Sequence, residues 1–324
     1  MKKSALPRVI TIGEATIDMI LQSDGSYMPV PGGSSIIVGL ALGRQGHNVA
    51  SLTPVSNDGF GDITRANLEA SGVDTSMLIT VDEPSTLAMA TIDPQGDAQY
   101  RFYIEGCSQG TWNIDTAING PKPGDIISCC GSFSLGIDAM ADAFDAMFNK
   151  FSKEHVIVFD PNVRGGAIGD NADLARERIE RWASQSTIVR ASTEDIIWLY
   201  PETTIEQVAK RFLENGAKLV SISDGSYGAY AYTKENIAFR LSHKVEKSLT
   251  SDTVGAGDTL NAGIIIWLME NGHLTQDSIG DLTVGQLEEM LEAGIVLATQ
   301  TCKEIGAEPP WAELSRGSNG LNRH

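Results

Sequence analysis

Short apolar runs that end in small or turn residues alternate along this chain with longer stretches whose apolar positions recur at helical spacing. Residues 9–12, 49–55, 126–131, 156–159, 188–191 and 219–223 read as buried strands, being short, rich in Val and Ile, and bounded by Gly, Asp or Ser. Between them the spacing predicts helices over 36–46, 62–71, 139–151, 173–184, 205–215 and 285–300. Gly46, Gly72 and Gly216 serve as stops for three of these. Ser192-Thr-Glu-Asp195 has the form of a helix cap. A second short β pattern covers residues 15–21, and Pro31 with the glycine pair Gly32 and Gly33 is expected to stop the preceding strand.

Two stretches break this rhythm. Residues 85–93, the turn 94–97 and residues 98–104 read as an alternating β-hairpin, and a late hairpin opens at 224–229 and runs to 241. An antiparallel insertion of the first kind covers something, as a lid or an oligomer contact. Strands alternating with helices at this density predict an α/β fold with a central, mostly parallel sheet and helices on both faces. One domain is expected over residues 1–324, with a small β-sheet lid formed by segments about 15–34 and 84–112. In such sheets ligands bind outside the carboxyl ends of the strands. Asp18, Arg164, Ser192, Asp224 and Asp258 all fall just after expected strands or at helix starts.

Composition narrows the classes. The 324 residues are 42% hydrophobic and 20% charged, the balance of a globular chain with a substantial core. A net charge of −18 argues against a nucleic-acid surface, which needs clustered Lys and Arg. No run approaches the eighteen or so apolar residues of a membrane span, and the basic start at Lys2 and Lys3 lacks a signal-peptide core, so a cytoplasmic protein is expected. Cys107, Cys129, Cys130 and Cys302 lack zinc spacing and read as structural thiols in a reducing compartment. The five His residues are scattered and suggest no metal cluster.

The chemistry concentrates in Ser251-Asp-Thr-Val-Gly-Ala-Gly-Asp-Thr259, which runs directly into an apolar helix. Gly255 and Gly257 let the backbone approach a ligand. The first turn of the helix leaves N–H groups unpaired at its positive end, a ready phosphate site. Asp258 in that turn is placed to take the proton of an attacking hydroxyl. The competing reading is ordinary connection chemistry, with Asp258 favoured there by the dipole alone. Glu14 and Asp18, near the end of the first strand, are candidates for binding sugar hydroxyls or else loop acids exposed to water. For Glu14 the second reading is preferred. Walker A, the dinucleotide fingerprint after the first strand and the protein-kinase signatures are absent.

Asp252-Thr-Val-Gly-Ala-Gly-Asp258 resembles the C-terminal signature of the ribokinase-like (PfkB) carbohydrate kinases. Gly32-Gly33 with its helix resembles their N-terminal signature. Asp160-Pro-Asn-Val-Arg164, the Ser192 to Asp195 turn and Ser223-Asp-Gly-Ser-Tyr-Gly228 follow in the family's order, and residues 301–311 are similar to the tail of bacterial fructokinases. The resemblance covers residues 9 to about 314 and implies the ribokinase-like fold. It also implies ATP- and Mg2+-dependent phosphorylation of a primary hydroxyl on a small sugar, most closely that of a fructokinase-like ketose kinase. Asp258 matches the catalytic base, and the amides of Gly255, Ala256 and Gly257 the anion hole. Asp18, Gly32, Gly33, Tyr103 and Arg164 match substrate positions. Ser192, Ser223, Gly225, Gly228 and Thr253 match the nucleotide side, and Asp195 an acid that organises magnesium. Asp252, with Thr253, matches a monovalent-cation loop for K+. A homodimer through the lid is implied as well.

Two departures bear on the acceptor. The family's Asn, four residues after the second Gly, is Ile37 here, and Glu105-Gly-Cys-Ser-Gln-Gly110 differs from the lid segment of fructokinases. Another acceptor within the family (2-keto-3-deoxygluconate, ribose or a nucleoside) therefore stays open, as does a member that binds ligand without turnover.

Overall fold

The computed structural model describes residues 6–22, 24–92, 98–169, 171–245, 253–304 and 306–312, and for 90–92 and 98–100 the backbone alone. The strands in chain order are β1 Val9–Ile12, β2 Thr16–Leu21, β3 Tyr27–Gly32, β4 Val49–Leu52, β5 Pro54–Ser56, β6 Ile79–Val81 and β7 Leu87–Ile92. They continue as β8 Ala98–Tyr103, β9 Ile126–Cys130, β10 Val156–Asp160, β11 Ile188–Ser192, β12 Leu219–Asp224, β13 Gly228–Tyr232 and β14 Ile237–Leu241. The helices are α1 Ser34–Arg44, α2 Gly59–Ala70, α3 Ile114–Asn119, α4 Asp138–Phe151, α5 Gly165–Ile168 and α6 Ala172–Ser184. After them come α7 Thr193–Leu199, α8 Ile205–Asn215, α9 Ala256–Glu270, α10 Gln276–Gly280 and α11 Val284–Thr301.

The main sheet has the order β14-β13-β12-β11-β10-β9-β1-β4, parallel from β4 to β12 and finished at one edge by the antiparallel β13 and β14. Its strands are apolar on both faces because each face has its own core. Val9, Val158 and Leu219 face one core, built with α1, α9 and α11. Ile10, Phe159 and Val220 face the other, built with α4, α6 and α8. This is the burial expected of a parallel sheet covered on both sides. α9 runs through the first core almost wholly buried, and it crosses α11 where Gly263 meets Gly294. A Cβ on Gly263 would stand 2.6 Å from the Gly294 Cα.

A separate four-stranded sheet, β3-β2-β7-β8, is drawn from the segments around 15–34 and 84–112. The expectation that Pro31 stops the preceding strand is corrected. Both Pro29 and Pro31 lie inside β3, paired with Met19 and Ile17. β3 is an edge strand, where a missing N–H costs no ladder bond. The single strand expected at 49–55 breaks at Thr53 into β4, on the main sheet, and β5, which pairs with β6. Asx and Ser/Thr caps also generate short helices that apolar periodicity does not mark, such as α3 behind Asn113 and α10 behind Thr275.

Candidate active site

α9 begins at Gly255, whose φ of 74° is left-handed and whose position a side chain would fill badly. An added Cβ would stand 2.6 Å from the Ala307 Cβ and 3.2 Å from the Ile37 Cγ2. The Gly255 carbonyl accepts the first helical bond, from the Thr259 N–H at 2.9 Å. Ala256 is turned differently from its neighbours: its N–H donates to the Thr253 carbonyl at 3.2 Å. Gly257 and Asp258 supply the orphan donors of the first turn. A Cβ on Gly257 would stand 2.6 Å from the Arg190 Nη2, so glycine there lets a buried guanidinium approach the start of the helix.

Asp258 is buried, and its surroundings pull in both directions. Burial raises its pKa, while Arg190 and Arg164 favour the ionised form and Asp195 opposes it. A carboxylate that holds protons more tightly than usual, near two guanidinium groups at a helix start with unpaired N–H groups, is suited to accept a proton beside a phosphate.

Arg190 lies in β11 next to the end of β10. The parallel register pairs Val158 with Ile188 and Phe159 with Val189, which brings Asp160 beside Arg190. Their side chains form a buried ion pair at 2.8 Å, and Arg190 also donates to the Ser223 Oγ at 2.7 Å. Burial pushes the Asp160 carboxyl up to about 6, and Arg190 works against that rise, so the pair is charged at neutral pH. Neither residue stood among the expected site residues. The available signal was a charge inside each of two adjacent apolar strands, a placement that demands a partner.

Glu14 corrects the sequence reading directly. It is not exposed to water but 3% accessible. Its Oε1 accepts from the Ser34 N–H at 3.0 Å, while Oε2 is buried with no hydrogen-bond partner. Desolvation raises its pKa to about 7. Gly33, at φ 94°, lets the chain fold over this residue, since a Cβ there would stand 2.4 Å from the Glu14 carbonyl oxygen. Asn162, also absent from the expectations, is buried in a left-handed conformation at φ 38° and donates through Nδ2 to the Ser34 Oγ.

The remaining expected residues divide. Asp18 accepts from the Thr16 hydroxyl at 2.9 Å and lies directly over Gly32, where any Cβ would meet its carboxylate at 2.4 Å. Arg164 is exposed beside Asp258, its Nη1 near the Val163 carbonyl at 3.4 Å. Ser223 accepts from Arg190 at the end of β12, Gly225 is open at φ 49°, and Thr253 is exposed. Gly228 serves the hairpin, since a Cβ there would stand 2.0 Å from the Arg240 carbonyl oxygen.

Tyr103 is not brought to this site. Register puts Asp18, Ala88 and Phe102 on one face of the small sheet and Ile17, Leu87 and Tyr103 on the other. Phe102, packed on Phe133 and within reach of Gly166, occupies the inner position instead. Ser192 and Asp195 are engaged in a capping box, and the second Asp195 oxygen accepts from the Val163 N–H at 2.7 Å. With three of roughly four acceptor sites taken, that carboxylate suits a metal-bound water better than chelation. Ile37 is buried against Gly255 and does not line open space. Asp252 lies outside the described residues. Among those residues no group of His, Cys, Asp and Glu is arranged to hold a metal, and no helix is long and apolar enough to cross a membrane.

A two-faced parallel sheet with a small second sheet, and a buried acid in the first turn of α9, are the frame of a ribokinase-like phosphotransferase with an alcohol group as acceptor. The model of the pfkB family carbohydrate kinases matches residues 6–313. A fructokinase of Rhizobium leguminosarum bv. trifolii is 34% identical over 280 residues, covering 85% of this chain and 83% of the relative. A 2-dehydro-3-deoxygluconokinase of Bacillus subtilis is 28% identical over 264 residues, 74% of each. Among solved structures, a fructokinase of Vibrio cholerae in a fructose-, ADP- and potassium-bound form matches with a TM-score of 0.81 over 94% of each chain at 20% identity. The chain belongs to the pfkB family of carbohydrate kinases.

Proposed function

We propose that this chain transfers the γ-phosphate of ATP to a primary hydroxyl of a ketose, with D-fructose as the preferred acceptor. The carrying observation is Asp258, buried in the first turn of α9 behind the left-handed Gly255 and between Arg164 and Arg190. The acceptor O–H gives its proton to the Asp258 carboxylate as its oxygen bonds to the γ-phosphorus. The bond from that phosphorus to the β–γ bridging oxygen breaks, and ADP leaves. Gly255 and Gly257 supply the donors for charge developing on the transferring group, and Ala256 joins them only by releasing Thr253. Magnesium neutralises phosphate charge when bound, and Asp195 would hold it through a water. Thr253, with Asp252, is assigned to a potassium site.

The four-stranded sheet serves as the lid through its Asp18 face. Its other face, with exposed Leu21, Tyr27 and Tyr103, is assigned to a second copy of the chain. The fructokinase relative at 34% identity supports the acceptor. The 2-dehydro-3-deoxygluconokinase relative supports a sugar acid as the second reading.

ADP release with MgATP across ketoses, pentoses, deoxy-sugar acids and nucleosides tests this, and the expected result is the highest kcat/KM for D-fructose. A sugar acid at the head of the ranking selects the second reading, and no release above background with any acceptor sinks both.

A further inference from the structure

One buried guanidinium ties together the ends of three strands and the start of α9. Arg190, in β11, donates through Nη1 to Asp160 Oδ2 at 2.8 Å, at the end of β10. Through Nη2 it donates to the Ser223 Oγ at 2.7 Å, near the end of β12. The same Nη2 is the atom that a Cβ on Gly257 would meet at 2.6 Å, so a single nitrogen sits against both β12 and the first turn of α9. Asp160 is itself held in place, since its Oδ1 accepts from the Asn162 N–H at 3.0 Å.

Strand packing alone does not call for this arrangement. Two buried charges cost desolvation that their attraction roughly offsets, and an apolar pair of similar volume would join the strands as well. The Arg190 Nε adds to the cost, being buried with no hydrogen-bond partner among the described residues. What an apolar pair cannot do is orient a hydroxyl. A guanidinium only donates, so the Ser223 oxygen accepts and its own hydrogen is left to donate elsewhere. Ser223 is partly exposed, and among the described residues its hydroxyl makes no other hydrogen bond. The groups left over around this point are all donors: the Ser223 O–H and the first-turn N–H groups of Gly257 and Asp258, at the positive end of α9. A polyphosphate, anionic and rich in acceptor oxygens, is the complement of that set.

We propose that Arg190 is a positioning residue for the nucleotide: clamped by Asp160, it turns the Ser223 hydroxyl outward to donate to a phosphate oxygen of ATP, and keeps that hydroxyl in register with the first turn of α9. This rests on the reading of the chain as a kinase that uses ATP.

Calorimetric binding of MgATP without acceptor tests this, because it reads the contact whether or not D-fructose is turned over. The variants are Ser223→Ala, Arg190→Lys, the double variant Asp160→Asn with Arg190→Met, and the triple variant that adds Ser223→Ala to the double. The double variant leaves no unpaired buried charge, asparagine at 160 keeps an acceptor for the Asn162 N–H, and thermal unfolding checks each fold. Ser223→Ala is expected to weaken MgATP binding roughly tenfold, the loss of one hydrogen bond to a charged group. The double variant should lose a similar factor, and the triple should be no weaker than Ser223→Ala alone, because the pair acts through the hydroxyl. Arg190→Lys keeps a charged donor and should stay closer to the parent than the double variant does. With MgATP saturating, KM for D-fructose should stay within about twofold in Ser223→Ala and in the double variant, which a general loosening of the site would not allow. Unchanged binding by Ser223→Ala, or additive losses in the triple variant, overturns the proposal. A parent that binds MgATP but releases no ADP with any acceptor would sink the kinase reading and leave the positioning role measured. A parent that does not bind MgATP would sink both.

Discussion

At the scale of residues, the site is a set of buried ionisable groups whose energies depend on what faces them. Glu14 gives the clearest pH signature. Its carboxyl titrates at about 7 in the folded protein against an ordinary 4.5, because burial outweighs the bond from Ser34. The native state therefore holds this proton more tightly than the unfolded chain does. The contribution of Glu14 is neutral below pH 4.5 and becomes progressively destabilising as pH rises to 7. Glu14→Gln should remove that penalty, gaining on the order of 2–3 kcal/mol relative to the parent at pH 8 and nothing at pH 4. Urea denaturation at the two pH values measures the difference, and parallel curves would show that Glu14 is not desolvated. The sequence could not convey this burial. Glu14 follows the first strand like any loop acid, and only Gly33 and the start of α1, some twenty residues on, close over it.

At the scale of elements, α9 was readable and its neighbours were less so. Glycines flanking an acid before an apolar run announced the helix and its left-handed start at Gly255. The register of β10 against β11, which makes Asp160 and Arg190 partners, is a tertiary fact that local pattern does not contain. The two glycines of the turn should respond differently to alanine. Gly255→Ala forces a left-handed alanine, about 1–2 kcal/mol, and overlaps Ala307, so its main effect is a lowered midpoint in thermal unfolding. Gly257→Ala has a permitted backbone but presses on the Arg190 guanidinium. Its cost should fall on kcat, roughly a hundredfold if a donor to the transferring phosphoryl is displaced. Steady-state kinetics beside melting curves separate the two outcomes, and equal effects on both properties in both variants would contradict the distinction.

At the scale of the molecule, sheet, helices and tail meet at one point. Arg44 at the end of α1 bonds Glu308 at 2.6 Å and the Pro309 carbonyl at 2.7 Å, and stacks on Trp311 at 5.3 Å. This holds Ala307 against Gly255, and Gly306 near Ile20 and Val30 of the small sheet. Arg44→Ala should cost about 1–3 kcal/mol and open residues 306–312 to limited proteolysis, and an equally resistant tail would argue against this tie. The alternation of short apolar runs with helical periods conveyed the two-faced sheet, because each strand feeds two cores. It did not convey the face of the small sheet on which Tyr103 lies, which is fixed by pairing with β7. Proton acceptance by Asp258 is the step on which phosphoryl transfer by this chain would depend. The most direct measurement is ADP release by Asp258→Asn with MgATP and D-fructose, beside the parent protein. The expected result is a loss of at least about 10²–10⁴-fold in kcat with the fold intact by circular dichroism, whereas turnover within a few-fold of the parent would rule Asp258 out as the base.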